Sequence, residues 1–192
     1  MKKKAIIISL KGKILSKKEQ LILSQENPWG VILFKRNIHT LKQIQNLIKN
    51  IKIYSKNKKF PILIDEEGLS VSRIKKIYNH NFSANTFGKI FKKDKKTAIL
   101  IYKNYLKSLC NILKIIGINV NTIPVLDVLR KNTSKIIGSR SFSNKKEIVK
   151  KLGQITVKEC HINKIVAVIK HIPGHGCATL DSHLKMPKVR LN

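Results

Sequence analysis

Short apolar runs alternate along the chain with longer stretches in which apolar residues recur every three or four positions. Residues 5–10, 30–34, 61–65, 118–121 and 165–170 are compact runs dominated by Ile, Val and Leu. Runs of this kind predict strands buried on both faces, the first of them included. The fourth continues into Pro124-Val125-Leu126-Asp127. Ser16-Lys17-Lys18-Glu19 and Thr40-Leu41-Lys42-Gln43 have the spacing of capping boxes. The first opens a helix through Leu21, Leu23 and Glu26. The second opens one that carries Leu41, Ile44, Leu47, Ile48 and Ile51 on a single face. A long helix is predicted over 94–116, with Ala98, Ile101, Tyr105, Leu109, Ile112 and Ile116 inward and Gly117 as a left-handed cap. Asn144, with Glu147 three residues on, opens another helix that runs to about His161.

Repeated βα units with two-sided strands mean a parallel sheet, either a closed barrel or an open doubly wound sheet. No G-x-G-x-x-G and no phosphate-binding glycine loop follows any strand, so nothing supports a nucleotide fold. Lys35-Arg36-Asn37, Asp65-Glu66-Glu67, Asp127 and Lys170-His171 each fall just past the C-terminal end of a strand. Enzymes built on a (β/α)8 barrel gather their sites on that rim. The expected fold is therefore α/β, of the (β/α)8 TIM-barrel type. A whole barrel needs roughly 250 residues, so the 192 residues here are expected to form an incomplete barrel domain over 1–192, truncated after about five βα units.

Charge is the outlier, with 40 Lys+Arg against 10 Asp+Glu and a net +30. Such a balance suggests a polyanion as partner. The lysines, however, are spread through helices and turns and form no tail or basic stripe alternating with aromatics. That pattern fits a Lys-, Ile- and Asn-rich coding bias and no specific nucleic acid. Cys110, Cys160 and Cys177 are odd in number, widely spaced and without a C-x-x-C, as expected of reduced thiols in a cytoplasmic protein. The apolar run after Lys2-Lys3-Lys4 is too short for a signal peptide, and no stretch reaches transmembrane length.

The densest chemistry lies in Lys170-His171-Ile172-Pro173-Gly174-His175-Gly176, followed by Asp181-Ser182-His183. A zinc site on His171, His175 and His183 is one reading, although the spacings match no common zinc pattern. A solvated polar loop is another. Acid–base chemistry is the third and fits best: an imidazole transfers protons near neutral pH, and Asp181 is placed to orient His183. Lys170 and His171 would offer fixed donors to a polyhydroxy ligand.

The same segment resembles the signature of bacterial β-N-acetylglucosaminidases of glycoside hydrolase family 3. Further segments agree in order: Pro28-Trp29-Gly30-Val31-Ile32-Leu33-Phe34-Lys35-Arg36-Asn37; Ile64-Asp65-Glu66-Glu67-Gly68 with Arg73; and Pro124-Val125-Leu126-Asp127-Val128 with Ile137-Gly138-Ser139-Arg140-Ser141-Phe142. The resemblance implies that Asp65, Arg73, Arg140, Lys170 and His171 bind the hydroxyls of a terminal N-acetylglucosamine. It implies His183 as general acid/base with Asp181 as its partner, and no metal or organic cofactor. Asp127 is expected to hold loop backbone at the rim. Leu69 and Ser70 stand where the family pattern has a second glycine and an arginine, a departure that bears on the turn carrying Arg73.

The implied activity is removal of non-reducing terminal β-linked N-acetylglucosamine with retention, with a muropeptide from peptidoglycan recycling as substrate and a monomer as the full-length state. Retention needs a nucleophile as well as an acid/base. The family's nucleophile lies on a later strand, so none is assigned within these residues, and this chain alone is expected not to turn over. A non-catalytic sugar-binding remnant and a polyanion-binding basic protein are the rival readings.

Overall fold

The computed structural model describes residues 2–181 and 186–188. Five strands, β1 (Lys4–Ser9), β2 (Pro28–Leu33), β3 (Ile62–Ile64), β4 (Val120–Asn121) and β5 (Val166–Ala167), form one parallel sheet in the order β1-β2-β3-β4-β5. Doubly wound sheets reverse strand order at a switch point. Here the order never reverses, which is the winding of a (β/α) barrel seen as an open arc. The register aligns Leu33 with Ile64, Ile64 with Asn121, and Asn121 with Ala167. Residues that follow these four therefore share one rim. Beyond their regular portions β4 and β5 stay paired, since Lys170 N donates to Pro124 O at 3.1 Å and Val125 bridges Lys170.

The helices cover the outer face. They are α1 (Lys17–Leu21), prolonged by a π turn over Ile22–Glu26, then α2 (Leu41–Tyr54), α3 (Ala84–Lys93), α4 (Lys95–Ile116) and α5 (Lys146–Ile162). The core joins Ile44, Leu47, Ile48 and Ile51 of α2 with Leu106, Leu109 and Leu113 of α4 and Leu152 of α5, against Val31, Leu33, Ile62 and Ile64 of the sheet. Ser16 makes the full capping box with Glu19. Gly117 closes α4 in the left-handed region. Among the described residues no helix is long and apolar enough to cross a membrane. The three cysteines are free thiols.

Four expectations are corrected. First, β1 is not buried: Ile6 and Ile7 are 53% and 46% exposed. Among the described residues it lies at the sheet edge with a neighbour on one side only, as does β5, where Val166 is 59% exposed. Second, the sequence reading did not identify α3. It is opened by a Ser83–Thr86 capping box, and Asp94 both ends it and caps α4 by accepting from Lys96 and Thr97 N–H.

Third, the inner face of α4 is rotated. Tyr102, Leu106, Cys110 and Leu113 are buried along with Ala98, Leu109 and Ile116, whereas Ile101 is 41% exposed. Apolar residues occur almost all round this helix, so periodicity alone allows more than one phase, and packing against both α3 and α5 selects this one. Fourth, two cap partners differ. Gln43 Oε1 accepts from His39 N–H instead of completing a box with Thr40. Lys145, not Asn144, is the N-cap of α5, and the Asn144 carboxamide oxygen takes Lys92 instead.

Candidate active site

Side chains alternate along an extended strand, so three consecutive residues leaving β3 point two ways. Asp65 and Glu67 turn toward the rim, and Glu66 turns behind it. Two β4-end residues fix this exit. Asn121 stitches the Glu66 backbone on both sides, its Oδ1 accepting from Glu66 N–H at 3.0 Å and its Nδ2 donating to Glu66 O at 2.9 Å. The Thr122 hydroxyl donates to Asp65 Oδ1 at 2.5 Å.

Lys170, at the end of the β5 segment, brings the front carboxylates together. Its Nζ lies 3.2 Å from Asp65 Oδ1, 2.6 Å from Glu67 Oε1 and 2.9 Å from Thr122 Oγ1, which uses its three donors. Arg73 Nη2 reaches Asp65 Oδ2 at 3.3 Å. Arg140 grips Glu67 with two parallel bonds, Nε to Oε2 at 2.7 Å and Nη2 to Oε1 at 2.9 Å, the strong bidentate geometry of a guanidinium–carboxylate pair. Three cations thus surround two carboxylates.

Burial pushes the Asp65 carboxyl up, but the Thr122 hydrogen bond, the Lys170 charge and the Arg73 contact outweigh it and hold Asp65 below the usual carboxylate range. For Arg140, burial disfavours the charge, and the bonds and charge of Glu67 more than restore it.

The second half of the site hangs from Asp127, which is buried beyond β4. Its Oδ1 accepts from Gly176 N–H at 2.7 Å, and its Oδ2 lies 2.5 Å from His171 Nδ1. Burial raises its carboxyl, while His171 and the backbone amides of Gly176 and His175 lower it further, so it is ionised and can only accept. The His171 Nδ1 therefore carries a proton, which leaves Nε2 for the cleft. Gly176 is required where it stands: a Cβ there would come 2.5 Å from Val128 O, so the loop could not lie against the β4 exit. His175 packs edge-on to His171, with ring centroids 5.9 Å apart.

Asp65, Glu67, Val71, Arg73, Ile136, Arg140, Lys170, His171 and His175 line one cleft of about 480 Å³. The structure thus brings together Asp65, Arg73, Arg140, Lys170 and His171, all five residues expected to bind ligand. Asp181 is half-buried, and His183 lies outside the described residues. Among the described residues no group of three or more His, Cys, Asp or Glu is placed to hold a metal ion. A larger cavity, about 800 Å³ beside β5 and α5, has a mainly apolar wall that includes Leu126, Val149, Val157, Ile162 and Ile169, with Lys146, Lys150, Gln154, Lys158 and His161 also lining it.

Sequence reading gave no site role to Glu67 or Thr122, and it read Asp127 as a backbone anchor only. Asp127 does hold the Gly176 amide, and it also orients His171. Strand alternation was the available signal for Glu67, because position i+2 shares the face of Asp65. Arg36 and Asn37, at the β2 exit, serve the loops: Asn37 Nδ2 donates to Leu10 O and Gly12 O, and Arg36 Nε donates to Leu10 O. The turn with Leu69 and Ser70 closes through Glu67 N–H to Val71 O and Leu69 N–H to Phe82 O, both at 2.9 Å, and Arg73 still reaches Asp65.

A polar cleft on the C-terminal rim of a sequentially wound parallel sheet, with paired carboxylates and guanidinium groups, is the layout of a barrel enzyme's binding site. Residues 3–192 match the sequence profile of the glycosyl hydrolase family 3 N terminal domain, and the chain belongs to that family. Native NagZ from Neisseria gonorrhoeae superposes with a TM-score of 0.89 at 29% identity, over 96% of this chain and 54% of that one. It has also been solved in complex with N-trifluoroacetyl-D-glucosamine. The β-hexosaminidase of Hydrogenovibrio crunogenus is 30% identical over 181 residues, 94% of this chain and 50% of the relative. That of Xanthomonas campestris pv. campestris is 28% identical over 179 residues, 93% and 53%. The chain spans about half the length of these relatives.

Proposed function

We propose that residues 1–192 are the N-terminal barrel part of a retaining β-N-acetylhexosaminidase that releases terminal β-linked N-acetylglucosamine. The observation that supports this most is the joining of Asp65, Arg73, Arg140, Lys170 and His171 around one cleft. Asp65 accepts from a sugar hydroxyl with the one lone pair left over from Arg73, Lys170 and Thr122, on Oδ2. Arg73 donates and His171 Nε2 accepts at neighbouring hydroxyls, Lys170 donates by exchanging one of its three partners for a hydroxyl, and Arg140 holds Glu67 in the wall. The N-trifluoroacetyl-D-glucosamine complex of the gonococcal relative supports a sugar of this type.

His183 protonates the leaving oxygen and then activates water, with Asp181 fixing its tautomer. Asp65, Glu67 and Asp127 are each committed to cations or backbone amides, so none is free to serve as the nucleophile, which a strand outside these residues supplies. The natural substrate is a muropeptide in peptidoglycan recycling, handled in the cytoplasm by a monomer.

Calorimetric titration of the chain with N-acetylglucosamine tests the reading. Binding is expected, with at least a tenfold loss in Asp65→Ala, about the worth of one charge-assisted hydrogen bond. No heat from the wild-type chain would overturn it. Hydrolysis of a chromogenic β-N-acetylglucosaminide, lost in His183→Ala, separates an enzyme from a sugar-binding remnant.

A further inference from the structure

Behind the cleft runs a second polar chain, whose Glu66 carboxylate holds the backbone of Arg73 in the cleft wall. Glu66 is fully buried. Its Oε2 accepts from the backbone N–H of Arg73 at 2.7 Å and of Ile74 at 3.1 Å. Its Oε1 lies 2.9 Å from His80 Nε2. His80 is itself buried, and its Nδ1 lies 3.1 Å from the Tyr105 hydroxyl on α4. The rings of Tyr78 and Tyr105 each sit 5.6 Å from His80 and exclude water. Burial raises the Tyr105 hydroxyl well above its ordinary range, and at 3.1 Å the hydroxyl serves Nδ1 as a donor in the tautomer that carries the imidazole proton on Nε2. The imidazole then keeps its proton on Nε2 and donates it to Glu66.

Arg73 needs such a support. Its Nη2 contact with Asp65 is long, at 3.3 Å, and its buried Nε has no hydrogen-bond partner among the described residues. Beyond that contact and the Phe34 ring, whose centroid lies 5.8 Å from Cζ, the guanidinium depends on its backbone for placement, and that backbone is pinned by Glu66.

We propose that Glu66, His80 and Tyr105 are positioning residues that fix Arg73 for sugar binding, tying the cleft to helix α4. The proposal rests on the sugar-binding reading of the cleft. The carboxylate sets the Arg73 and Ile74 amides, His80 aims the carboxylate, and Tyr105 aims His80.

The test compares His80→Phe, which keeps a ring and removes the donor, with His80→Gln, which restores one. Tyr105→Phe, which keeps the packing, serves as a milder variant should His80→Phe not fold. N-acetylglucosamine affinity is read by calorimetry, and the Arg73 backbone amide is read by NMR in the sugar-free protein. His80→Phe is expected to weaken binding about tenfold and to shift the Arg73 amide upfield, with His80→Gln recovering most of both. Tyr105→Phe is expected to shift the same amide less and to cost about threefold in affinity. A folded His80→Phe or Tyr105→Phe protein whose Arg73 amide and sugar affinity match the wild type would overturn the proposal. If the wild-type chain binds no sugar, the sugar reading falls, and an unshifted Arg73 amide would sink the positioning role independently.

Discussion

Glu66 and its two neighbours are consecutive carboxylates, yet the structure puts them in opposite environments. Glu66 is buried, and among the described residues its carboxylate meets two backbone amides and His80, itself backed by Tyr105. Asp65 and Glu67 face a cleft and meet three cations. A buried carboxylate whose lone pairs are filled by fixed donors is costly to disturb, because each donor it leaves behind is stranded without water. Carboxylates on a cleft wall can exchange a partner for a ligand hydroxyl at much smaller cost. One residue type therefore builds the scaffold or the binding surface according to which way the strand alternation turns it.

The widest separation between the two sides should come from Glu66→Ala. Removing that carboxylate strands two buried N–H groups and the His80 proton, so a loss of about 3 kcal/mol or more is expected in urea unfolding. A loss below 1 kcal/mol would mean the pocket admits water and the contrast with the front is wrong. Glu67→Gln comes next. It keeps the shape but gives up the charge that holds Arg140 and Lys170, which retain the new amide oxygen, Asp65 and Thr122 as partners. Its stability cost should be about 1–2 kcal/mol, while N-acetylglucosamine affinity drops about tenfold in calorimetry. A stability loss as large as that of Glu66→Ala would show the two sides to be one structural unit.

How far these sides could be read beforehand follows from what carries the information. The five strands and the placing of Asp65, Lys170 and His171 on one rim follow from apolar runs ended by polar residues, which are local signals, whereas Arg73 and Arg140 are reached only through the family resemblance. Helix α3 was not legible: it is ten residues long and carries Gly88 in its interior, which weakens the helical pattern. That glycine answers a tertiary demand, since a Cβ there would come within 1.7 Å of Phe142 O. The buried phase of α4 was misjudged for a similar reason, its neighbours α3 and α5 being what selects Tyr102 over Ile101. The Glu66–His80–Tyr105 chain joins residues up to 39 positions apart through a pocket that no spacing rule announces. The solvent exposure of β1 and β5 depends on what lies beside them, which the composition of each strand does not encode.

The smallest effect, and the sharpest check on the division, is the dependence of stability on pH. The carboxyls of Asp65 and Asp127 are both held below their ordinary values in the folded protein, by Thr122, Lys170 and Arg73 in one case and by His171 and backbone amides in the other. A carboxyl with a depressed folded value binds its proton more readily once unfolded. Its contribution is fully present above the unfolded Asp value of about 4 and is lost as pH falls through the folded value. Thermal midpoints recorded from pH 6 down to pH 2 should therefore fall below about pH 4. In Asp65→Asn combined with Asp127→Asn the fall should be shallower, because those two groups no longer take up protons on unfolding. If the double variant loses stability as steeply as the wild type, the acid-sensitive charges are not those of the cleft.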